Sequence, residues 1–574
     1  MADSAAPNGF PSGIPVSQET YENWALMIKV PNVWTCEPQS EDDIVRVCNW
    51  AVQAGFTVRA RGIMHGWSPL TVTAGESTAN LMLVDLTKKL NSITEISPAR
   101  DGRPAQVTVQ TGATMFDLMT ALELAPGGNN GFSFAHIPAP GDLTVGGVLA
   151  INAHGTAVPT PPNDDFDVPY GSLSNQILAF TAVVTLPGSS TYVTRKFTRG
   201  EGDDKAFLTH CGRALLVDVT LQITNNYHLR CQSFVTIPDM TLFAQPTGDT
   251  PPPDSVGYFL NQSGRVEVIW FPVYPIGSFP PVTSYPWLKV WTVAPEKPPT
   301  STLVTKPYNY PFSDTLSFSA QVSDLLKQIL GGAPWLTPLF CFASAAITSA
   351  GLNGELKGSP NSTDLWGLSK NTLLYVQDST LRVTANGYAV LMKRGQVQQA
   401  VADFTAQFSA MIAAFQNNSL WPINSPIEIR VTALDDPAKI NAGTTTATSP
   451  VISSLSIDPV VRDNKWDVAC WFDVLTLIPE GDPQQAYDFY AQLETWFFQH
   501  FSDGFRVCPE WSKGWAYTKG EGPWTNAGVI QDIRTTFSTG RPPDDTWSWE
   551  VDTLAKYDAA NLFSNSFLKQ LFSA

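Results

Sequence analysis

Arg61-Gly62-Ile63-Met64-His65-Gly66-Trp67-Ser68-Pro69 follows directly on an alternating segment, Phe56-Thr57-Val58-Arg59-Ala60. It therefore reads as a glycine-bearing loop at the end of a strand. Upstream, Ser40-Glu41-Asp42-Asp43 is a capping box for a helix whose apolar stripe is Ile44, Val47, Cys48, Ala51 and Val52, with Gly55 as its stop. Downstream the same grammar returns, with Val107-Thr108-Val109-Gln110 as strand and Gly112 as turn. A helix capped over Thr114 to Asp117 then runs through Leu118, Met119 and Leu122. Later strands are expected at Leu178 to Leu186, Tyr192 to Thr194 and Leu215 to Thr224. This half of the chain is α+β.

From about Tyr227 the texture changes to proline-punctuated strands and uncharged aromatic loops, which marks a candidate boundary. Two amphipathic helical stretches, Val397 to Phe415 and Pro483 to Phe498, are expected to cover a large mixed sheet that includes Ile427 to Thr432 and Val468 to Leu477. The tail around Tyr557 to Phe563 is compact rather than linker-like.

The 574 residues carry 35 Lys+Arg against 52 Asp+Glu, a net charge of −17, with 43% hydrophobic and 15% charged residues. That balance describes a packed protein, and it argues against nucleic acid and anionic lipid, which both need clustered cations. Seven scattered cysteines without a CxxC pair point to core packing and to no metal site. The N-terminus has neither a basic nor an apolar signal region, so export would require a signal absent from this chain. The uncharged stretch Gln328 to Asn353 is long enough to span a bilayer, but Gly331, Gly332, Pro334, Pro338 and Gly351 interrupt it. It reads as buried or lipid-facing protein.

No GxGxxG, Walker loop, GxSxG or HExxH is present, which disfavours a nicotinamide Rossmann enzyme, a serine hydrolase and a zinc protease. Four small-residue loops remain. They are Arg61 to Ser68, Thr111-Gly112-Ala113, Pro140-Gly141-Asp142-Leu143-Thr144-Val145-Gly146-Gly147 and Asn152-Ala153-His154-Gly155-Thr156. Small residues let backbone N–H groups approach phosphate oxygens, and a helix after Gly146 is expected to add its positive end. Any one of these loops alone is an ordinary turn.

Their order resembles the vanillyl-alcohol-oxidase superfamily of FAD enzymes over the first 220 or so residues. The resemblance implies that the first loop, from Arg61 through Gly62, Ile63, Met64, Gly66 and Trp67, holds the FAD pyrophosphate, and that His65 bears the flavin covalently. Some relatives add a second link through cysteine, but here the aligned run is Asp142-Leu143-Thr144-Val145-Gly146, so a single histidyl bond is expected. Within the superfamily the chain is most similar to the covalent-flavin (class II) bacterial cholesterol oxidases. That likeness rests on Met64 to Leu70, Asn152-Ala153-His154-Gly155, Val266 to Pro272 and Ile427-Glu428-Ile429-Arg430. It implies oxidation of a sterol 3β-hydroxyl, Δ5 to Δ4 isomerisation, and reoxidation by O2 to give H2O2.

Glu267 lies in an otherwise apolar strand followed by 21 uncharged residues up to Lys289. Burial there is expected to strengthen it as a base, and the family position makes it the candidate proton acceptor. Glu428 and Arg430, two apart on a strand, share a face and are expected to form a movable ion pair. By resemblance Arg430 stands near flavin and substrate, with Glu428 as partner and oxygen gate, and Asp473 and Lys513 join the catalytic set. The implied architecture has two lobes: residues 1–226 bind FAD, 227–520 bind substrate, and 521–574 return to the FAD lobe. Alternatives are a same-fold oxidase of another hydrophobic alcohol or sugar, and a non-catalytic lipid-binding flavoprotein. Expected partners are a sterol and O2, with transient membrane or micelle contact through the uncharged rim Phe271 to Leu288. The expectation is a monomer, secreted or periplasmic in a bacterium.

Overall fold

The computed structural model describes residues 6–128, 130–272, 283–310, 320–375, 382–443, 446–477 and 483–573. Near the N-terminus a four-stranded sheet runs in the order Val16–Glu22, Lys29–Cys36, Leu81–Asp85, Thr57–Arg61. Its first pair is antiparallel and the other two are parallel. Helix Glu41–Ala54 connects the second and third strands in chain order. The Ser40 hydroxyl accepts from the Asp43 amide, and Gly55 ends the helix at φ 73°, a left-handed conformation that favours glycine. Its stripe of Ile44, Val47, Cys48 and Ala51 is buried with Val58, Met82 and Val84 of the sheet.

A second, antiparallel sheet has the order Ile93–Ser97, Gln106–Gln110, Leu215–Gln222, Ile177–Thr185, Tyr192–Thr198. The strand expected at Leu215 to Thr224 is broken after Gln222, and the one begun at Tyr192 runs on to Thr198. The short helix Val145–Ala150 starts ahead of Gly146, with Thr144 as its cap.

Beyond residue 227 stands a nine-stranded sheet. Its order is Thr302–Leu303, Asp364–Leu368, His228–Phe234, Trp287–Val293, Val266–Trp270, Ile427–Ala433, Val468–Thr476, Thr384–Met392, Arg506–Pro509. Every residue of Thr384–Met392 and Val468–Thr476 is buried, as expected of central strands covered on both faces. Helices Val397–Asn417 and Gln484–His500 cover one face, where Phe404 and Phe497 meet Phe472. The other face turns to the N-terminal lobe.

The tail helices Ala527–Thr536, Trp547–Tyr557 and Ser566–Leu571 bring the chain back to that lobe. There the Val58 amide donates to the Leu562 carbonyl at 3.0 Å, the Arg59 guanidinium donates to the Phe563 carbonyl at 2.7 Å, and Arg213 pairs with Asp558 at 3.2 Å. The uncharged stretch forms helix Thr337–Leu352 after a 3-10 turn at Pro334–Leu336, so Pro338 falls in the first turn, where its missing N–H costs nothing. All seven cysteines are buried.

Candidate active site

One cavity of about 540 Å³ runs between the lobes, lined on one side by the Arg61–Trp67 loop and on the other by the open face of the large sheet. The loop is held from below by close packing. A Cβ on Gly62 would meet the Thr144 hydroxyl at 2.4 Å, one on Gly112 the Leu86 carbonyl at 2.2 Å, and one on Gly146 the Thr111 side chain at 2.9 Å. Among the described residues no protein acceptor takes the amides of Ile63, Met64, His65 and Gly66. They form a cradle of donors suited to an anionic group. Met64 is left-handed at φ 60°, a strained conformation for a non-glycine residue, immediately before the histidine.

The first-turn amides of the helix expected to add its positive end are already bonded within the protein. The Val145 amide donates to the Ala113 carbonyl, the Gly146 amide to the Thr111 carbonyl, and the Gly147 amide to the Thr144 hydroxyl. Two of these donors hold an adjacent loop, and the third closes the helix's own cap.

His65 lies between Trp24, stacked at 4.9 Å, and Trp67, edge-on at 5.6 Å. Its Nδ1 is buried and has no hydrogen-bond partner among the described residues. Burial, helped by the Lys513 ammonium, pushes the imidazole down to about 4, so it is neutral and nucleophilic at physiological pH. The fit to a flavin rests on this orphaned nitrogen and the cradle of amides beside it.

The facing wall is a charged patch set by strand register. Glu267 lies directly opposite Lys289 on one side and Arg430 on the other, and in the neighbouring row Glu428 lies opposite Asp473. Glu267 and Lys289 form a 3.1 Å ion pair, and the ammonium lies 4.4 Å from the Trp287 ring centroid. The carboxylate expected in an apolar hollow is thus ion-paired. The residue that ends the uncharged run in sequence lies directly across the sheet from it.

Arg430 bridges Glu428 at 3.4 Å and bonds Asp473 closely, while Lys513 approaches Asp473 at 3.5 Å and Glu510 at 3.7 Å. Burial alone would raise the Asp473 acid, but Lys513 and Arg430 drive it well below the usual carboxylate range. Burial, with Asp473 next in weight, holds the neighbouring Glu510 up at about 8. Glu510 therefore keeps its proton at neutral pH and shares it with Asp473. Gly387 makes room for all three, since a Cβ there would lie 2.4 Å from Asp473, 2.9 Å from Glu510 and 3.0 Å from Lys513.

Of the sequence candidates, Glu267, Glu428, Arg430 and Lys513 line the cavity, whereas Asp473 is fully buried behind Arg430. Its reach is indirect, through the cation it holds. Arg61 to Trp67, Thr111, Gly112, Pro140, Asp142, Thr144, Gly146, Gly147, Asn152, His154 and Gly155 also line it. Gly141 and Val145 do not. The Gly141 carbonyl accepts from the Phe116 amide, and Val145 is a core residue. His154 stacks on Trp471 at 3.8 Å, and burial, then Arg430, lowers it to about 3.

Sequence reasoning missed Lys289, Glu510, Trp24 and Trp471. Only Lys289 gave a signal, as the first charge after a long neutral run. Apolar cover comes from Trp287, Trp291, Tyr310, Phe340 and Ile347. The proposed rim at Phe271 to Leu288, including Phe279, falls mainly in residues 273–282, outside those described.

A donor cradle with a neutral histidine, facing an ion-paired carboxylate under aromatic cover, defines a two-lobe flavin-dependent oxidoreductase acting on an apolar alcohol. Family models agree. An FAD binding domain matches residues 34–184, and the substrate-binding domain of cholesterol oxidase matches 228–573. A solvent-stable cholesterol oxidase superposes at TM-score 0.90 with 43% identity, over 99% of this chain and 100% of that one. Cholesterol oxidase from B. sterolicum gives 0.89 with 35% identity, over all of both chains. L-Gulonolactone oxidase of Mus musculus is 23% identical over 253 residues, 44% of this chain and 48% of its own length, so the match spans about half of that relative. The chain belongs to the cholesterol oxidase family, and FAD-dependent oxidation of a cholesterol-like sterol is its activity.

Proposed function

We propose that the enzyme carries its FAD on a single bond to His65, passes electrons to O2 to give H2O2, and moves the sterol double bond from Δ5 to Δ4. The observation that carries this reading is the placement of the orphaned His65 nitrogen and the Lys289–Glu267–Arg430 row on opposite walls of one cavity. Bound FAD supplies the acceptor for the C3 hydride.

Glu267 takes the hydroxyl proton and releases it to solvent, and then, once more a carboxylate, it takes a proton from C4 and returns it at C6, with Lys289 fixing the carboxylate's orientation. Arg430 supplies positive charge beside the site where negative charge builds, and Asp473 and Glu428 hold it there. Lys513 adds a second cation on the same side. Glu428, on the cavity wall and bonded to Arg430, gates oxygen. The aromatic and apolar walls exclude water from the reacting centre.

Sterol arrives from a bilayer or micelle through transient apolar contact. Trp335, Leu339 and Phe342, exposed by 58%, 52% and 55%, form an outward apolar stripe on the Pro334–Leu352 stretch. The other face of that helix, with Phe340, Ser344, Ile347 and Thr348, lines the cavity. With a net charge of −17 the contact is to neutral rather than anionic lipid. The enzyme works as a monomer outside the bacterial cytoplasm, with residues 1–226 and 521–574 serving the cofactor and 227–520 the substrate.

The test is His65→Ala. It is expected to fold and bind FAD that acid denaturation releases, while the wild type keeps its yellow colour on the polypeptide. Flavin still attached in the variant would place the link elsewhere.

A further inference from the structure

Trp24 and its neighbour Asn23 lie in the turn between strands Val16–Glu22 and Lys29–Cys36, ahead of the residues that either family model matches. They grip the histidine loop from both sides. The Trp24 amide donates to the Met64 carbonyl at 2.8 Å. The Asn23 side-chain amide donates to the Gly66 and Trp67 carbonyls, each at 3.2 Å. Asn23 is fully buried, and its own carbonyl oxygen accepts from the Ile28 amide at 2.9 Å, which fixes the orientation of the amide. Carbonyls on either side of His65 are thus pinned to two consecutive residues of another strand pair.

The Trp24 indole then lies against the imidazole itself, with 22° between the planes, and it touches Trp67 edge-on at 5.3 Å. Trp67 is anchored in turn, its indole donating to the Val383 carbonyl at 2.7 Å and its backbone amide to the Ser512 carbonyl at 2.8 Å. The two indoles leave the imidazole little freedom to turn about its bond to the chain, and Nδ1 has no partner among the described residues. A buried nitrogen deprived of hydrogen bonds is costly, and Met64 beside it is strained. The clamp offsets that cost.

We propose that Asn23 and Trp24 are positioning residues for attachment of the flavin, presenting the neutral His65 imidazole to the 8α carbon. This rests on the reading that His65 bears the link. In the balanced step the imidazole loses its N–H hydrogen and forms a C–N bond, the methyl carbon loses one C–H hydrogen, and two electrons and two protons reduce O2 to H2O2. The clamp takes no part in the electron count and acts only on orientation. Aromatic contact of this kind is worth enough to change an orientation-limited rate by roughly two- to tenfold.

The experiment follows, after a pulse of synthesis, the fraction of flavin that stays with the acid-denatured polypeptide, alongside total flavin bound per native chain. Trp24→Leu keeps apolar volume without a planar ring, Trp24→Phe keeps a ring, and Asn23→Ala removes both side-chain donations. Per chain that holds FAD, Trp24→Leu and Asn23→Ala are expected to attach it roughly two- to tenfold more slowly, with Trp24→Phe close to wild type. Equal rates for Trp24→Leu and Trp24→Phe, or wild-type attachment in Asn23→Ala, would overturn the clamp. Covalent flavin in His65→Ala would instead overturn the reading beneath it, so the two failures are separable.

Discussion

Asp473→Asn removes the anion that lies fully buried between Arg430 and Lys513, whose side chains are 17% and 8% exposed. Solvent screens these charges little, and breaking one partner of such a buried network costs about 3–5 kcal/mol. The structure also contains a reserve. Glu510 holds its proton partly because Asp473 is charged, and it already lies 3.7 Å from Lys513. With Asp473 neutralised, Glu510 is expected to ionise and take over as counter-ion, which limits the loss to the low end, about 3 kcal/mol.

Glu510→Gln alone keeps a donor to Asp473 and should cost about 1 kcal/mol or less. The double variant leaves both cations without either carboxylate and is expected to lose at least about 1 kcal/mol more than the sum of the singles. Urea unfolding of the four proteins at pH 7 measures this coupling. Additivity within about 0.5 kcal/mol would show that no proton is redistributed and would refute the argument.

Glu267→Gln should slow sterol oxidation at least about 100-fold and let Δ5-ketone accumulate in any residual turnover, as chromatography of the products would reveal; undiminished Δ4-ketone formation removes Glu267 as proton carrier. Leu339→Asp with Phe342→Asp is expected to weaken binding to phosphatidylcholine vesicles and turnover of vesicle-held sterol, while sparing a short soluble 3β-hydroxysteroid; equal losses on both substrates would tell against lipid contact at this helix. Glu494 is buried and accepts from the Ala516 and Tyr517 amides at 2.6 and 3.0 Å and from the Tyr388 hydroxyl, and burial pushes its acid up to about 7 from 4.5. Because the folded state binds that proton more tightly, its contribution is whole below about pH 4.5 and lost as pH rises through about 7, up to about 3 kcal/mol. Glu494→Gln should therefore flatten the decline in unfolding free energy from about pH 5 to 8, and an unchanged slope would contradict it.

What was legible in the sequence was local or periodic. The Ser40 cap, the left-handed stop at Gly55 and the apolar stripe between them depend on neighbours within a few residues and appear as read, although the capping box is not reciprocal, since the Asp43 carboxylate accepts from the Gln39 amide rather than from that of Ser40. The order of the small-residue loops identified the cofactor class because tight packing leaves room for little else at Gly62, Gly112 and Gly146. Alternation likewise put Glu428 and Arg430 on one face.

Register between distant strands was not legible. Nothing local brings Lys289 opposite Glu267 or Asp473 opposite Glu428, because pairing depends on how the whole sheet assembles, and a slip of one residue would turn each charge to the other face. For the same reason a buried acid could be named while its ion pair could not, and Glu510 and Trp24 gave no sign of their neighbours. The first-turn amides of Val145–Ala150 show the converse limit. A helix start can be read from a threonine and two glycines, but only the tertiary structure decides that an adjoining loop has already taken two of its donors.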